Sequence, residues 1–313
     1  MIHIIAHNDV DGIVCHSIAE IYAKTKQIKT RHYFVDYQSI ISVFNELLKV
    51  ISPEDKVIIA DIGYEEYLIS SFLVRYKRIA ERTFWYDHHK WKEEAIKRIS
   101  AISKEIIINE NLCASEIIQN RLLPENEIAK QLAYIARAHD FYGKGFETEV
   151  FEQACKIQDV ISSGFQKERI AEQFSGGILW SEEFETAHRK FQEVIRPKEI
   201  KKMEQTVTKY SVIITNDTIA NIIAVFVSDV LSSKDIRAYL MEGKERDILI
   251  AVWPNGRIAY EIRNENFRQI IEKINSNFNG GGRGLAGGAT YPQKINRKNF
   301  RSCFKKIIEV ISK

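Results

Sequence analysis

Cysteine pairs are absent from this sequence. Its four cysteines, Cys15, Cys113, Cys155 and Cys303, are scattered and form no CxxC motif. This spacing suits reduced thiols better than a disulfide framework or a zinc finger, so we expect most of them to pack in a core. The chain also lacks low-complexity tracts and internal repeats, which places it among ordinary globular proteins.

Long apolar runs are missing as well. No segment approaches the roughly 18 apolar residues that a membrane-spanning helix needs. The N-terminal segment MIHIIAHNDVDG becomes polar and acidic before the apolar region of a signal peptide could form. We therefore expect a cytoplasmic protein with no membrane partner.

Neither sign of charge dominates. The 45 lysines and arginines nearly balance the 42 aspartates and glutamates, which leaves a net charge of +3. A field this weak does not by itself indicate nucleic acid as a partner. Any phosphate-binding surface must therefore be local.

A large apolar fraction is present instead. Hydrophobic residues make up 45% of the 313 residues and charged residues 28%, as is typical of folded proteins. The chain is long for one compact core, so two domains are expected.

The first part of the chain alternates short apolar runs with amphipathic segments. The runs IHIIA, HYFVDY, KVIIADI and RTFWYDHH predict strands, and helices are predicted at about 14–24 and 40–50. This alternation predicts an α/β fold in which helices cover both faces of a parallel sheet. A largely helical stretch follows from Cys113 to about Phe184, with an interruption near 141–145.

A strongly charged segment at 185–209 has sparse apolar positions at helical spacing and predicts an exposed connecting helix. The pattern then restarts with YSVIIT, NIIAVFVSDVLS, IRAYLME, RDILIAVW and GRIAYEIR, which predict a smaller α/β unit. The predicted domains are 1–184 and 210–313, joined by the helical linker 185–209.

Residues of the types that bind metals follow the predicted strands. His7, Asp9 and Asp11 alternate directly after the first strand, and Gly12 lets the chain turn into a helix. Ligands bind beyond the carboxyl ends of the strands in open α/β sheets. Three further positions continue this pattern: Asp61 and the run Asp87-His88-His89 each end a later strand, and Asp140 ends a helix.

The chemistry of this set suits divalent ions. Carboxylates mixed with imidazoles, without a thiolate, favour Mn²⁺, Mg²⁺ or Zn²⁺, and manganese is the first choice. Each motif alone has a structural alternative, because aspartate and glycine also build turns and helix caps. Their repetition at several strand ends favours one shared site.

These motifs resemble those of the DHH phosphoesterase superfamily. The segment HNDVDG at 7–12, Asp61, the run Asp87-His88-His89 and Asp140 stand in the order of the four motifs of that family. The C-terminal part is similar to the associated DHHA1 domain, whose glycine-rich motif matches GGGRGLAGG at 280–288. The family includes RecJ-like exonucleases, nanoRNases and cyclic-dinucleotide phosphodiesterases.

The resemblance implies a role for each ligand. His7 and Asp9 would bind one divalent ion. Asp11, His88 and Asp140 would bind the second ion, and Asp61 would bridge the two ions. Two ions are implied, with Mn²⁺ preferred and Mg²⁺ or Co²⁺ as alternatives. Asp87 and His89 would be catalytic: Asp87 would orient a histidine, and His89 would face the scissile phosphate.

Substrate contacts are implied by the same comparison. Arg283 replaces the histidine that usually follows the three glycines, and its guanidinium suits phosphate binding and not proton transfer. The expected substrate-binding residues are Lys90, Arg263, Gly280, Gly281, Gly282 and Arg283. Trp91, Trp253 and Tyr260 are either base-stacking platforms or core residues.

The resemblance implies a manganese-dependent phosphodiesterase. The leading hypothesis is a 3′→5′ exonuclease on single-stranded DNA or RNA, including short oligonucleotides, that releases nucleoside 5′-monophosphates by two-metal hydrolysis. Alternatives are a 5′→3′ RecJ-like exonuclease, a hydrolase of cyclic or linear dinucleotides or 3′-phosphoadenosine phosphate, and a non-catalytic scaffold. Besides single-stranded nucleic acid, a DNA repair or replication protein is a candidate partner, although no segment of the sequence identifies it.

Overall fold

The computed structural model describes residues 1–141, 143, 145–215, 218–232, 235–236, 247–263, 265–278, 280–283 and 285–312. It separates into two compact units, Met1–Phe191 and Gln192–Lys313. Within the described residues, no helix has both the length and the apolar character needed to cross a membrane. Most of the segment IRAYLME, which is part of the predicted smaller α/β unit, lies outside the described residues.

The N-terminal unit is built on a five-stranded parallel sheet. Its strands are β1 (Ile2–His7), β2 (Thr30–Val35), β3 (Lys56–Ala60), β4 (Thr83–Asp87) and β5 (Glu105–Ile108). They lie in the order β2-β1-β3-β4-β5, and all neighbours are parallel. The chain therefore crosses from one side of β1 to the other between β2 and β3, which creates a topological switch point between β1 and β3.

Helices cover both faces of this sheet. They are α1 (Val10–Thr25), α2 (Ile40–Val50), α3 (Glu66–Val74), α4 (Lys77–Ala80), α5 (Glu93–Ser100), α6 (Ala114–Leu122), α7 (Glu127–Asp140), α8 (Thr148–Ser162), α9 (Lys167–Ser175) and α10 (Glu182–Lys190). Ile4 and Ala6 of β1 pack with α1 and α6–α10, whereas Ile5 packs with α2–α5. A strand buried on both faces has a nearly continuous apolar sequence, as IHIIA does apart from the buried His3. The predicted α/β fold is confirmed.

The C-terminal unit contains a six-stranded mixed sheet. Its strands are β6 (Thr208–Thr215), β7 (Thr218–Phe226), β8 (Ile248–Val252), β9 (Arg257–Ile262), β10 (Gly281–Arg283) and β11 (Ala286–Thr290), in the order β10-β11-β9-β8-β7-β6. The pair β7–β8 is parallel, and the other described pairs are antiparallel. Helices α12 (Arg268–Asn277) and α13 (Phe300–Ser312) pack on one core, and Met203 of α11 (Arg196–Glu204) joins the other.

The segment predicted as a linker is mostly helical. After α10, a π-helical turn spans Phe191–Ile195, and α11 continues to Glu204 before β6 begins at Thr208. The boundary between the two compact units follows Phe191. The predicted ranges of the domains and the linker stay a prediction.

Candidate metal centre

The predicted ligands of three strands lie at one level of the parallel sheet. Ala6 of β1 is aligned with Ala60 of β3, and Ala60 is aligned with Tyr86 of β4. The next residues along the three strands are His7, Asp61 and Asp87. They therefore lie together at the carboxyl edge of the sheet, beside the switch point between β1 and β3.

The segment after β1 makes a tight turn into α1. Asp9 caps the helix, because its side chain accepts a hydrogen bond of 3.1 Å from the backbone N–H of Gly12. A Cβ atom at Gly12 would lie 2.0 Å from the carbonyl oxygen of His7, so only glycine fits this turn. The cap also explains why α1 begins at Val10, four residues before its predicted start.

Asp61 has an unusual backbone and an unusual side-chain environment. Its φ of +53° lies in the left-handed region, which non-glycine residues seldom occupy. The residue is only 4% exposed, and its Oδ2 atom is buried without a hydrogen-bond partner among the described residues. A buried, unpaired carboxylate oxygen is costly unless something else binds it.

Asp61 lies between two histidines. His7 Nδ1 is 3.8 Å from Asp61 Oδ2 and 2.8 Å from Asp9 Oδ2. His88 Nε2 is 3.3 Å from Asp61 Oδ1 and also 3.3 Å from Asp140 Oδ2. The carboxylate of Asp61 thus connects the residues after β1 with those after β4 and at the end of α7.

Three overlapping groups could hold metal ions. In each group, one ligand atom from every residue lies within 4.8 Å of the others, and the groups are His7, Asp9 and Asp61; Asp11, His88 and Asp140; and Asp61, Asp87, His88 and His89. The structure thus brings together all six residues that the resemblance assigned to two ions. Their individual roles stay a proposal.

Asp11 makes contacts that the sequence did not predict. Its Oδ2 accepts a hydrogen bond of 2.8 Å from the N–H of Ala114, and its Oδ1 accepts one of 3.0 Å from the N–H of Ser115. Both donors lie in the first turn of α6, where backbone N–H groups lack helical partners. Each carboxylate oxygen has two lone pairs, so these bonds leave capacity for a metal.

Asp87 is held inside the protein by two side chains. Its Oδ1 accepts a hydrogen bond of 2.8 Å from His89 Nδ1, and its Oδ2 accepts one of 2.7 Å from Trp91 Nε1. Asp87 is fully buried, whereas the side chain of His89 is 45% exposed. The chain Trp91–Asp87–His89 therefore fixes an accessible imidazole whose Nε2 is left for other contacts.

The crowding of carboxylates changes their proton affinity. Burial, together with the charge of Asp9 and other neighbouring aspartates, raises the pKa of Asp61 well above its usual range. Burial and the charges of Asp11 and Asp9 raise the pKa of Asp140 to about 8. Carboxylates that repel one another in this way gain from a bound cation.

His89 shows the opposite balance. Burial alone would lower its pKa, but the hydrogen bond to Asp87 and the charge of that carboxylate outweigh burial and raise the pKa to about 9. At neutral pH the imidazole is therefore protonated on both nitrogens. Such a group can donate from Nε2 to an anionic oxygen.

The donor set fits divalent metal ions. It consists of carboxylate oxygens and imidazole nitrogens, and Asp61 contributes a buried oxygen without a partner among the described residues. Hard oxygen ligands combined with imidazole favour Mn²⁺ and similar ions over the soft metals that thiolates select. The residues present therefore fit the implied ions.

The predicted substrate-binding residues are divided between the two compact units, with Lys90 in the first and the others in the second. Lys90 and Arg263 are exposed, and Arg263 directly follows β9. Gly280 precedes β10, Gly281 and Gly282 lie in it, and Arg283 ends it, paired with Ala286 of β11. A Cβ atom at Gly280 would collide with Asn275 Oδ1, whereas one at Gly281 would meet nothing within 4 Å. Gly284, within the same motif, lies outside the described residues.

The aromatic candidates for base stacking are core residues. Trp253 is 4% exposed and donates from Nε1 to the carbonyl of Leu231. Tyr260 is 3% exposed, and its hydroxyl group bonds Asn275 and the carbonyl of Gly281. Trp91 is 7% exposed and supports Asp87. Burial contradicts stacking on these rings and favours the core alternative.

Sequence reasoning missed Tyr37. Its hydroxyl oxygen accepts a hydrogen bond of 2.8 Å from the N–H of Gly63, and its ring lies 6.5 Å from that of His7. Burial raises the pKa of Tyr37 well above its usual range, so the hydroxyl stays protonated. Its position two residues after β2 is the signal that could have identified it.

Comparisons by sequence give no match, either among models of protein families or among curated proteins. Solved structures do match. RecJ in complex with Mn²⁺ from Thermus thermophilus is 12% identical with a TM-score of 0.57, and the match covers 99% of this chain and 52% of that one. An exonuclease RecJ bound to manganese is 12% identical with a TM-score of 0.54, covering 99% and 89% of the two chains.

CDC45 from Entamoeba histolytica is also similar, with 10% identity, a TM-score of 0.52 and coverage of 100% and 95%. This chain spans about half the length of the Thermus RecJ chain. At such low identity the likeness concerns the fold. The chain shares its fold with these RecJ structures, so the predicted resemblance is confirmed at the level of the fold.

Proposed function

We propose that this protein is a two-metal phosphodiesterase that removes nucleoside 5′-monophosphates from the 3′ end of single-stranded DNA or RNA, including short oligonucleotides. One observation supports the proposal most: three candidate metal-binding groups lie at the carboxyl edge of the sheet, and they overlap through Asp61 and His88. The RecJ-type fold supports it, because two of the similar structures are RecJ proteins bound to manganese.

The ligands are assigned as the resemblance implies. His7 and Asp9 would hold one ion, Asp11, His88 and Asp140 would hold the other, and Asp61 would be a ligand of both. Divalent ions at such a site supply Lewis acidity and an activated water for in-line attack on phosphorus. Manganese is the proposed ion, with Mg²⁺ or Co²⁺ as substitutes.

The protein's own groups then act on the phosphate. His89 donates its Nδ1–H to Asp87, and its raised pKa in the metal-free site favours the protonated ring that donates from Nε2 to a phosphate oxygen. Asp87 thereby fixes the orientation and charge of this ring. Arg263 and Arg283 hold further phosphates of the strand, as their permanent charge allows.

The direct test is hydrolysis of end-labelled single strands by the purified protein with Mn²⁺, with EDTA as the control. The proposal expects metal-dependent release of labelled mononucleotide from a 3′-labelled strand. No mononucleotide release from any DNA or RNA strand, with any of the three ions, would contradict it.

Labelling the opposite end determines polarity. Progressive shortening of a 5′-labelled strand accompanies 3′→5′ attack, whereas immediate release of its label identifies 5′→3′ attack. Parallel rates on cyclic dinucleotides, linear dinucleotides and 3′-phosphoadenosine phosphate test the small-substrate alternatives. If the protein hydrolyses a dinucleotide more than about tenfold faster than the longer strand, a difference of about 1.4 kcal/mol, the dinucleotide and not the polymer is the substrate.

A further inference from the structure

The two compact units differ sharply in charge. Residues 192–313 contain 21 lysines and arginines against 13 aspartates and glutamates, a net charge of +8, whereas residues 1–191 carry −5. The balanced charge of the whole chain therefore conceals a basic C-terminal unit. Clustered positive charge within such a unit is the electrostatic footprint expected of a polyanion-binding surface.

A large part of that charge is concentrated at the end of the chain. We call the following six exposed cations on α13 and the loop before it the basic patch: Lys294, Arg297, Lys298, Arg301, Lys305 and Lys306. Glu309 is the one carboxylate in the sequence from 294 to 312. No ion pair joins any of the six to a described residue, so the patch is not neutralised within the described part of the chain.

The loop that carries three of these cations is held by asparagine side chains. Asn296 Oδ1 accepts hydrogen bonds of 2.8 Å from Lys298 N and 3.3 Å from Asn299 N. Asn299 Oδ1 accepts one of 2.6 Å from Asn296 N, and its amide donates to the carbonyl of Lys294. The backbone is therefore fixed before a ligand arrives, which lowers the entropic cost of binding.

The rest of the patch follows one side of α13. Arg301 and Lys305 are four residues apart and share a helix face, and Lys298 precedes Arg301 by three. The opposite face is buried through Phe300, Phe304 and Ile307. The cations near the start of α13 oppose the helix dipole, so they do not stabilise the helix.

The chemistry of the exposed face distinguishes between anionic partners. Residues 301, 302, 305, 306 and 309 are exposed, and none of them is apolar. A helix that inserts into a lipid surface does so through an exposed apolar face, whereas the apolar face of α13 is already in the core. Arginines and lysines spaced along a polar surface suit the phosphodiester backbone of a nucleic acid.

We propose that the basic patch binds the phosphate backbone of a nucleic-acid strand, through contacts additional to those of the metal centre and the glycine motif, and thereby favours longer strands over dinucleotides. The inference rests on the proposed function for its choice of substrate. A dinucleotide offers few phosphates to the six cations, whereas a longer strand offers many, so the patch favours longer strands.

The experiment is equilibrium binding of a fluorescent single strand of about 20 nucleotides in EDTA, where hydrolysis does not interfere. The full chain is compared with the variant Lys294→Gln, Arg297→Gln, Lys298→Gln. The control variant Lys201→Gln, Lys209→Gln, Arg268→Gln removes the same charge from other exposed sites of the same unit. A further variant, Lys294→Arg, Arg297→Lys, Lys298→Arg, keeps the charge of the patch.

We expect the patch variant to bind the strand at least about tenfold more weakly than the unmodified chain. The slope of log K against log salt concentration should also become shallower by about 2, because each of the three lost phosphate contacts contributes about 0.7 for single strands. The control and charge-keeping variants should bind like the unmodified chain. Equal binding by the patch and control variants would overturn the inference, as would binding to anionic vesicles but not to the strand.

The two proposals fail in different ways. Patch-dependent binding without mononucleotide release would contradict the proposed function and support the patch. If instead the patch variant hydrolyses both a dinucleotide and the longer strand at the rates of the unmodified chain, the proposed function is supported. The role of the patch is then contradicted.

Discussion

Asp61 combines a strained backbone, burial and a carboxylate oxygen that is unpaired within the described chain. A non-glycine residue held in the left-handed region costs about 1 kcal/mol or more, and such residues cluster at functional sites. Several other aspartates raise its pKa further, so the metal-free site is electrostatically unfavourable. These costs at one residue agree with a ligand shared between two ions.

Asp61→Asn should preserve the fold and abolish function. Asparagine tolerates a positive φ and matches the uncharged form that the raised pKa of Asp61 favours in the metal-free site, so the free energy of unfolding should not fall. Loss of a direct ligand should weaken Mn²⁺ binding by more than the roughly 10–100-fold typical of residues that only support ligands. Calorimetric titration with Mn²⁺ measures this. Asp55→Asn, at an ion pair with the N-terminus, is the control and should bind Mn²⁺ normally.

Trp91 is the residue we expect to act through Asp87. Trp91→Phe keeps an aromatic ring against Trp85 but removes the N–H bonded to Asp87 Oδ2. The hydrolysis rate should fall about 10–100-fold with little change in the melting temperature. Trp180→Phe removes an equivalent indole bond, to Glu185, and should leave the rate unchanged. Equal rates for both variants would show that Asp87 needs no such support.

Metal binding should release protons near neutral pH. Because the pKa of metal-free Asp140 is about 8, this carboxyl is mostly protonated at pH 7 and must lose its proton to act as a ligand. The apparent affinity for Mn²⁺ should therefore rise between about pH 6 and pH 8. Titrations in buffers of different ionisation enthalpy measure the released protons. An affinity that is flat from about pH 6 to pH 8 would contradict this assignment.

At the scale of elements, the turn between β1 and α1 positions three of the ligands. Gly12→Ala would place a Cβ atom 2.0 Å from the His7 carbonyl oxygen, so the turn must open. We expect a loss of about 1–3 kcal/mol in the free energy of unfolding, as for other overpacked sites, together with weaker Mn²⁺ binding. Urea unfolding measures the first effect. Gly281→Ala points into open space and should leave the unfolding free energy within about 0.5 kcal/mol.

The elements of the metal centre could be predicted because their signals are local. The apolar run of β1 and the HNDVDG segment after it are contiguous, and parallel strands bring their ends to one edge. The contact between Asp11 and α6 could not be predicted, because it joins residues 103 positions apart. The support of Asp87 by Trp91 depends on the rotamer of a buried ring, which sequence patterns do not specify.

At the scale of the whole molecule, charge is divided between the units. The N-terminal unit is acidic and contains the carboxylate cluster, whereas the C-terminal unit carries a net charge of +8. The balanced total of the whole chain conceals this division. It agrees with the proposed function, because an enzyme that uses metal ions to cut a polyanion needs both carboxylates for the ions and positive charge for the polyanion.

The most direct test of the two-metal centre is a crystal structure grown with Mn²⁺, with anomalous diffraction recorded at the manganese absorption edge. We predict two anomalous peaks about 3.5–4 Å apart, one beside His7 and Asp9 and one beside His88 and Asp140, with Asp61 contacting both. No peak at these residues, or peaks without contact to Asp61, would show that the two-metal assignment is wrong.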